Sequence, residues 1–322
     1  MSDTAVSLQR KIVSAGDLHS VVRTMKAMAA SSITQYEQAM HSLDAYYDTV
    51  QRGLSVCLTQ ISAPDAALAR PSKTAAVTGV VVFGSDQGLV GQFNDEMVRF
   101  VLATLASQSG AKKVWAIGER IASRLNAAGF DVGASLVLPR SIRAVAPLVG
   151  QILIELEAHG AERAPPNQPD NQESGAWSPM SAAPRTATLE QVFVFYHGAD
   201  AGSRYAPLCQ RLLPLDAAWR DALVAMPWPN RNLPEVMPSP ERTLRGFIHE
   251  YLFVSLYRAC AASLASENAS RLAAMQRAEK NIEEQLEDLN RTFQQLRQGR
   301  IDEELFDVIS GFEALSVAPK ST

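Results

Sequence analysis

The stretch RLAAMQRAEKNIEEQLEDLNRTFQQL, residues 271–296, decides the fold of this chain. Its apolar residues recur at alternating steps of three and four, with Glu279 filling one place in the pattern: Leu272, Met275, Ile282, Leu286, Leu289, Phe293 and Leu296. This is the heptad spacing of a left-handed coiled coil. Because no proline occurs between Pro240 and Pro319, one helix over 241–318 is predicted, roughly 115 Å long at about 1.5 Å per residue. Such a helix cannot bury its seam on a compact core and needs a long partner.

A second heptad seam at the other end of the chain supplies that partner. Its only polar members are His19 and Lys26, and in order it reads Leu8, Ile12, Ala15, His19, Val22, Lys26, Ala29, Ile33, Tyr36, Met40, Leu43, Tyr47, Val50 and Leu54. The first proline is Pro64, so an N-terminal segment 1–60 is predicted to hold one helix over about 5–58. Two such helices pair most economically as an antiparallel coiled coil. Two ordinary amphipathic helices packed on a core are the alternative, which repeats of this length disfavour.

The middle of the chain, residues 74–226, has the pattern of a Rossmann-like domain. Val77–Phe83 is a β-branched run, as in a strand buried on both faces. Further strands are predicted at Val114–Ile117, Val132–Leu138 and Gln191–Tyr196, with helices at Asp95–Gln108, Glu119–Ala128 and Ser141–His159. This alternation with short loops indicates a parallel sheet with right-handed crossovers. The predicted fold class is therefore α/β, a long antiparallel coiled coil of the two terminal helices with an inserted Rossmann-like α/β domain.

Two proline-rich stretches interrupt this pattern. The first, at about 160–188, has few apolar residues and is predicted to be a disordered insertion on the surface. The second, Pro214–Pro240, carries six prolines, and its part 227–240 is predicted to link the α/β domain to the last helix.

Composition narrows the classes of function. The chain has 322 residues, with 30 basic and 34 acidic side chains, so neither nucleic-acid binding nor a polybasic membrane contact is expected. Three cysteines without a CxxC pair suggest core thiols in a reducing compartment, and no metal site is expected. The first residues lack the apolar core of a signal peptide, and no run approaches the length of a membrane span. Any membrane contact is therefore expected to come through partners.

The loop GSDQGLVGQFN, residues 84–94, follows the first predicted strand, where phosphates often bind. It lacks both the GK[ST] of a P-loop and the GxGxxG of a dinucleotide site. The favoured interpretation is a tight turn that lets the backbone pack closely, with structural roles for Ser85, Asp86, Gly88, Gly91 and Asn94. We therefore expect no bound cofactor at this loop.

One pair of residues allows an alternative interpretation as an enzyme. His197 and Asp200 are predicted to follow the fourth strand, where ligands bind in open α/β sheets. No GxSxG elbow, HExxH motif or carboxylate pair accompanies them. The domain is therefore interpreted as a scaffold with no catalytic residues.

Three segments carry a family resemblance: LQRKIVSAGDLHSVVRTMKAMAASS (8–32), LASENASRLAAMQRAEKN (264–281) and LRQGRIDEELFDVISGFEAL (296–315). They resemble the gamma subunit of F-type ATP synthases, and SDQGLVGQFN (85–94) is similar to that family's SDRGLCGGFN-type motif. The matches lie in order and frame nearly the whole chain.

The resemblance implies a non-catalytic rotor shaft. In that family the coiled coil stands inside a ring of alternating alpha and beta subunits, and the α/β domain lies near the epsilon subunit and the membrane c-ring. The shaft couples ion translocation to ATP synthesis or hydrolysis in the ring. The implied location is peripheral, on the cytoplasmic face of the bacterial inner membrane, with no contact to nucleic acid. A static coiled-coil scaffold and a nucleotide-binding enzyme with helical arms are the alternatives.

The resemblance also implies residues at subunit interfaces. Met25 matches a methionine that faces the moving lever of the beta subunit, and the neighbouring Lys26 could meet that acidic lever or lie on a solvated face. Arg297 and Gln298 match a pair that holds a beta-subunit loop as a catch. The full expected set is Arg23, Met25, Lys26, Arg271, Arg297, Gln298, Asp302 and Glu304.

Some positions depart from the family pattern and suggest a divergent bacterial branch. Val90 replaces the usual cysteine of the central loop, and Asp302 stands where many members have threonine. After Leu296 the apolar spacing jumps by five to Ile301, a stutter that loosens a coiled coil. The last helix is therefore predicted to leave its partner near Leu296 and to continue alone.

Overall fold

The computed structural model describes residues 5–61, 77–108, 110–161, 189–199, 205–215, 217–229, 232 and 234–316. Residues 162–188, which hold nearly all of the expected insertion, and Asp200 lie outside the described residues. The chain divides into two compact units. The helix-pair unit comprises the described residues of 1–30 and 271–322, and the α/β unit those of 31–270.

Six α-helices, two of them very long, and a five-stranded sheet are the main elements of the described residues. The helices are α1 (Ala5–Gln60), α2 (Phe93–Leu105), α3 (Glu119–Ala127), α4 (Val145–Ala161), α5 (Ala217–Val224) and α6 (Pro240–Ser316). The strands are β1 (Val77–Phe83), β2 (Ala111–Ile117), β3 (Val132–Leu136), β4 (Leu189–Ala199) and β5 (Tyr205–Leu213). Both terminal helices therefore have nearly the bounds that their heptad patterns predict.

The sheet of the α/β unit has the strand order β3-β2-β1-β4-β5. The first four strands are parallel, and β5 pairs antiparallel with β4. Neither β5 nor α5 was expected from the sequence. Strand β5 is a half-buried edge strand that contains Pro207, so it has no regular apolar alternation. Helix α5 is only eight residues long and lies within the proline-rich stretch Pro214–Pro240, where no helix was predicted.

Both faces of the sheet are covered. Every residue of β1 is buried, as its β-branched sequence requires. One face packs against α2 and α3 through Met97, Val101, Ile121 and Leu125. The other face packs against α4 and α6 through Val149, Ile152, Leu256 and Leu264. This packing holds the carboxyl ends of β1 and β2 in place next to residues 84–94, called the central loop here.

Within the α/β unit, α1 and α6 run antiparallel. Val50 and Leu54 of α1 are buried against Leu244 and Tyr251 of α6. Two polar contacts show the same antiparallel alignment. The Tyr46 hydroxyl donates to Glu250 Oε2 at 2.7 Å. Arg258, which is later on α6, lies 3.2 Å from Asp44, which is earlier on α1.

The helix-pair unit has its own small core. Val22 of α1 is buried with Met275 and Ile282 of α6, and the half-buried members of this cluster are Met25, Ala274, Ala278 and Leu286. Residue numbers rise along one helix as they fall along the other, because Lys26 contacts Glu279 and His19 contacts Glu283. The two helices are antiparallel here also.

Beyond Phe293, α6 carries an exposed tail, defined here as residues 296–312. Its large apolar side chains are 39–74% exposed: Leu296, Ile301, Leu305, Phe306, Val308, Ile309 and Phe312. The Lys26–Glu279 pair aligns the two antiparallel helices. The described part of α1 begins at Ala5, 21 residues before Lys26, and the corresponding position on α6 is residue 300, which is 21 residues after Glu279. The helix does continue past Leu296, without a break at Gly299. The tail therefore continues as one helix whose large apolar side chains are not covered by other described residues.

Candidate functional site

Polar residues interrupt the apolar seams of both helices, and the structure pairs them. The Lys26 ammonium donates to the Glu279 carboxylate, and these two side chains are only 33% and 15% exposed. One turn further along α6, Glu283 Oε1 lies 3.3 Å from Nε2 of His19, which is about two turns before Lys26 on α1. Because a polar residue at a seam position is satisfied only opposite its partner, these pairs fix the register of α1 against α6.

The electrostatics of this polar cluster favour the ionised form of Glu279. The hydrogen bond from Lys26 holds the pKa of the Glu279 carboxyl below its usual value, although partial burial acts in the opposite direction. The charges of Lys26, His19 and Arg23 add to the lowering of that pKa. In the sequence, Glu279 is visible only as an interruption of the heptad. Because Lys26 interrupts the other seam in the same way, the two polar residues could have been predicted to pair across the helices.

The same cluster contains a geometry that could hold a metal ion. Ligand atoms of His19, Glu279 and Glu283 lie within 4.8 Å of one another. However, Lys26 already occupies the Glu279 carboxylate, and Arg23 adds a second positive charge nearby. A divalent cation would have to displace the lysine, so the cluster is satisfied by the protein's own cations.

The structure brings together only some of the expected interface residues. Arg23, Met25 and Lys26 share one turn of α1, where Met25 is half-buried in the core of the helix-pair unit and Arg23 is exposed. Arg271 is half-buried on α6. Four residues lie together on the exposed tail of α6, a separate position along the helix: Arg297, Gln298, Asp302 and Glu304.

Exchanging the charges of Lys26 and Glu279 tests the register contact. Lys26→Glu and Glu279→Lys are each expected to lower the midpoint of thermal unfolding, because each places two like charges side by side within a partly buried seam. The double variant Lys26→Glu/Glu279→Lys should recover more than half of the loss. Circular dichroism at 222 nm measures all three transitions. Additive losses in the double variant would show that the two side chains do not interact.

The central loop is held by its own side chains. Asn94 accepts a hydrogen bond from the Ser85 amide at 3.0 Å and donates one to the Ser85 hydroxyl at 2.7 Å. That hydroxyl in turn donates to the Gln87 carbonyl at 2.9 Å. Asn94 and Ser85 are both buried, so these bonds close the loop from β1 to α2.

Asp86 connects the ends of three neighbouring elements. Its carboxylate accepts the amide of Glu119 at the start of α3, at 3.0 Å, and the amide of Leu138 just after β3, at 3.2 Å. Two backbone amides at this loop are therefore already used, that of Ser85 by Asn94 and that of Glu119 by Asp86. These bonds are consistent with the structural role predicted for the loop.

Glycines and a buried valine complete the loop. Gly91 has φ 61°, in the region that glycine adopts readily, and the preceding exposed Leu89 has φ 66°. Gly88 lies on the open side, where an added Cβ would come no closer than 3.9 Å to Arg120. Val90 is buried.

His197 does not follow β4, as expected from the sequence, but lies inside it. Pairing with β5 extends β4 to Ala199, and the imidazole is only 1% exposed. Its ring stacks on Phe93 with centroids 3.9 Å apart, and neither ring nitrogen has a hydrogen-bond partner among the described residues. Burial lowers the pKa of His197 to about 4. A neutral ring enclosed in this way is not placed to act as a general base.

Comparison with known proteins identifies the class. The chain belongs to the ATP synthase family, whose model, described as ATP-synt, ATP synthase, matches residues 4–315. Its relatives include the ATP synthase gamma chain of Syntrophus aciditrophicus, 26% identical over 96% of this chain and 97% of the relative. The ATP synthase gamma chain of Moorella thermoacetica is 22% identical over 96% of this chain and 98% of the relative.

Solved structures show the same fold. A chain of the Euglena gracilis mitochondrial ATP synthase, in a structure of OSCP, F1 and the c-ring, has a TM-score of 0.61 at 14% identity, covering 99% of this chain and 96% of that one. A chain of the Tetrahymena thermophila mitochondrial ATP synthase central stalk and c-ring has a TM-score of 0.53 at 23% identity, covering 80% of this chain and 99% of that one. The mixed architecture of terminal helices and a mainly parallel sheet is therefore that of ATP synthase gamma chains.

Proposed function

We propose that this chain is the gamma subunit of an F-type ATP synthase and acts as its central rotor shaft. The observation that carries the proposal is the match to ATP synthase gamma chains over nearly the whole length of both proteins. The chain itself is non-catalytic. It couples ion translocation through the membrane rotor to ATP synthesis or hydrolysis in the alpha/beta ring.

The exposed tail of α6 supports this role physically. An apolar helix surface of this extent is normally covered by another protein. A ring of alternating alpha and beta subunits would enclose it. Because one asymmetric shaft touches three equivalent beta subunits unequally, it stabilises a different conformation in each of them, and rotation exchanges those conformations. The exposed Arg297 and Gln298 are proposed to make the catch contact, with Asp302 and Glu304 beside them.

The other proposed partners are the epsilon subunit and the c-ring. The proposed plan has a shaft of 1–60 and 241–318, a foot of 74–226, and a connection over 227–240. The structure of the Euglena gracilis relative contains F1 and a c-ring.

No described helix is apolar enough over a sufficient length to span a bilayer. The chain is part of a membrane-associated complex, and its proposed place is the cytoplasmic face of the bacterial inner membrane, with membrane contact only through partners.

Cross-linking separates a rotor from a static scaffold. Gln298→Cys places a thiol on the exposed tail, where a reductant-cleavable reagent can join it to a beta subunit in the assembled complex. ATP hydrolysis is expected to fall in proportion to the cross-link yield, because a fixed shaft cannot bring the other sites through their cycle. Cleaving the cross-link should restore the rate in the same sample. Full turnover by the cross-linked complex would instead favour the scaffold.

A further inference from the structure

A continuous series of side-chain contacts connects α5, α6 and α1 inside the α/β unit. The Trp219 indole of α5 donates a hydrogen bond to the Tyr251 hydroxyl of α6 at 3.1 Å, and the centroids of the two rings are 5.1 Å apart. Tyr251 stacks on Tyr47 of α1, with ring centroids 5.9 Å apart. The Arg258 guanidinium of α6 lies 4.9 Å from the centroid of the Tyr47 ring and 3.2 Å from the Asp44 carboxylate of α1. These residues are called the cross-helix network here.

The cross-helix network differs in kind from the apolar seam beside it. Val50 and Leu54 of α1 are buried against α6 through apolar surface. The hydrophobic effect is non-directional, so such surface opposes separation of the two helices more than a shift of one along the other. An ion pair, a stack of rings and a hydrogen bond each have a preferred geometry. The network therefore fixes the axial position of α1 relative to α6 within the α/β unit.

Arg258 is the central residue of this network, because it contacts α1 in two ways. The plane of its guanidinium faces the Tyr47 ring, and its Nη2 atom is directed at Asp44. A planar guanidinium can stack on a ring and bond a carboxylate at the same time, which the compact ammonium of lysine does less well.

Helix α5 gives the network a third point of attachment. Trp219 and Leu223 of α5 belong to the same apolar cluster as Leu244 and Tyr251 of α6. Since Tyr251 contacts both Trp219 and Tyr47, a shift of α6 along α1 would disturb contacts to α5 as well. The position of the two long helices is thus fixed by α5 in addition to their own seam.

We propose that the cross-helix network keeps α1 and α6 in a fixed axial register when the shaft turns against a load. This inference rests on the proposed rotor function. A shaft of two paired helices transmits torque only while the helices do not slide or unwind against each other. The load is large when the complex moves ions against a membrane potential, and small when the membrane is permeable. Arg258 and Trp219 are therefore positioning residues for coupling, and neither is needed for ATP hydrolysis itself.

Membrane vesicles that carry the assembled complex allow the loaded and unloaded states to be compared. A voltage-sensitive dye follows the potential generated by ATP hydrolysis, so the identity of the transported ion need not be known. Arg258→Met is expected to lower the rate of potential formation per ATP hydrolysed by about threefold or more, because it removes both contacts to α1. Hydrolysis in detergent-permeabilised vesicles should stay close to the wild-type rate, and Arg258→Lys should restore part of the coupling.

Arg124→Met is the matched control for Arg258→Met. It removes an ion pair of 2.9 Å with Asp95 that joins α2 and α3, in the same unit but away from α1 and α6. Its ratio of potential formation to hydrolysis should equal that of the wild type. An equal fall of this ratio in the Arg124→Met and Arg258→Met complexes would indicate a general loss of rigidity and would overturn the proposal.

A second pair of variants decides the question if Arg258→Met does not assemble. Trp219→Phe keeps an aromatic ring but removes the hydrogen bond to Tyr251, and should lower the coupling ratio by about twofold. Trp228→Phe is its control, because the Trp228 indole donates only locally, to the Asn232 carbonyl at 3.0 Å. Equal coupling ratios in these two complexes would contradict the proposed role of the network.

The same experiment separates failure of this inference from failure of the rotor proposal. A wild-type complex that generates no ATP-dependent potential would refute both. A wild-type complex that generates the potential, together with Arg258→Met and Trp219→Phe complexes that generate it equally well per ATP, would refute only the role of the cross-helix network.

Discussion

Replacing Gly84 by alanine is expected to destabilise the α/β unit by about 3 kcal/mol, the upper end of the usual cost of overpacking. A Cβ built at Gly84 would lie 2.2 Å from Ile121 Cβ and 2.8 Å from Asn94 Oδ1. Neither neighbour can yield easily, since Ile121 Cβ is fixed to the backbone of α3 and Asn94 holds the loop through Ser85. The added methyl group must therefore displace α3 or break the loop.

Urea unfolding followed by tryptophan fluorescence measures this change, because Trp115 is buried in β2. Gly150→Ala in α4 is the matched control. No atom lies within 4 Å of a Cβ at that position, so the alanine should stabilise the helix by roughly 0.5–1 kcal/mol. A Gly84→Ala variant as stable as the wild type would show that α3 does not pack against the loop as closely as described.

The stability of the chain is expected to fall by about 3 kcal/mol between pH 6.5 and pH 4 because of His197 alone. Its pKa is lowered from 6.5 to about 4 in the folded chain. The unfolded chain therefore binds a proton at His197 as the pH falls below about 6.5, while the folded chain stays neutral until about pH 4. The contribution of the neutral His197 ring to the free energy of unfolding is fully present above pH 6.5. It is lost progressively as the pH falls to 4.

The test compares the pH dependence of unfolding in two variants. His197→Leu removes the titrating group at nearly constant volume and should flatten the free energy of unfolding between pH 4 and 6.5, whatever its effect at pH 7. The Gly150→Ala variant changes no ionisable group and should keep the wild-type pH dependence. A His197→Leu variant with the wild-type slope would contradict the assigned burial of this ring.

Long-range periodicity is the feature that the sequence predicts best here. The seams of α1 and α6 repeat over so many turns that local exceptions such as His19, Lys26 and Glu279 do not hide them. The β-branched run of β1 is similarly unambiguous, since a strand buried on both faces needs no alternation. Elements with few distinguishing residues, such as the edge strand β5 and the short helix α5, were missed.

The contacts at the candidate site were harder to predict, because each joins residues far apart in the chain. Asp86 is visible in the sequence only as part of a loop, and its bonds to Glu119 and Leu138 depend on how β1, β2 and β3 align. His197 was misplaced because the pairing of β5 lengthens β4 beyond its apolar run. The Lys26–Glu279 pair depends on the register of two helices, which neither seam determines alone.

The exposed apolar tail of α6 has a consequence for the newly made chain. Before assembly, Phe306, Val308 and Phe312 are open to water and to other unfolded or exposed surfaces. Such a surface favours aggregation and is recognised by chaperones and proteases, so an unassembled copy should be short-lived in the cell. On the proposed function, we expect the supply of the ring that would cover this tail to limit the amount of the subunit in the cell.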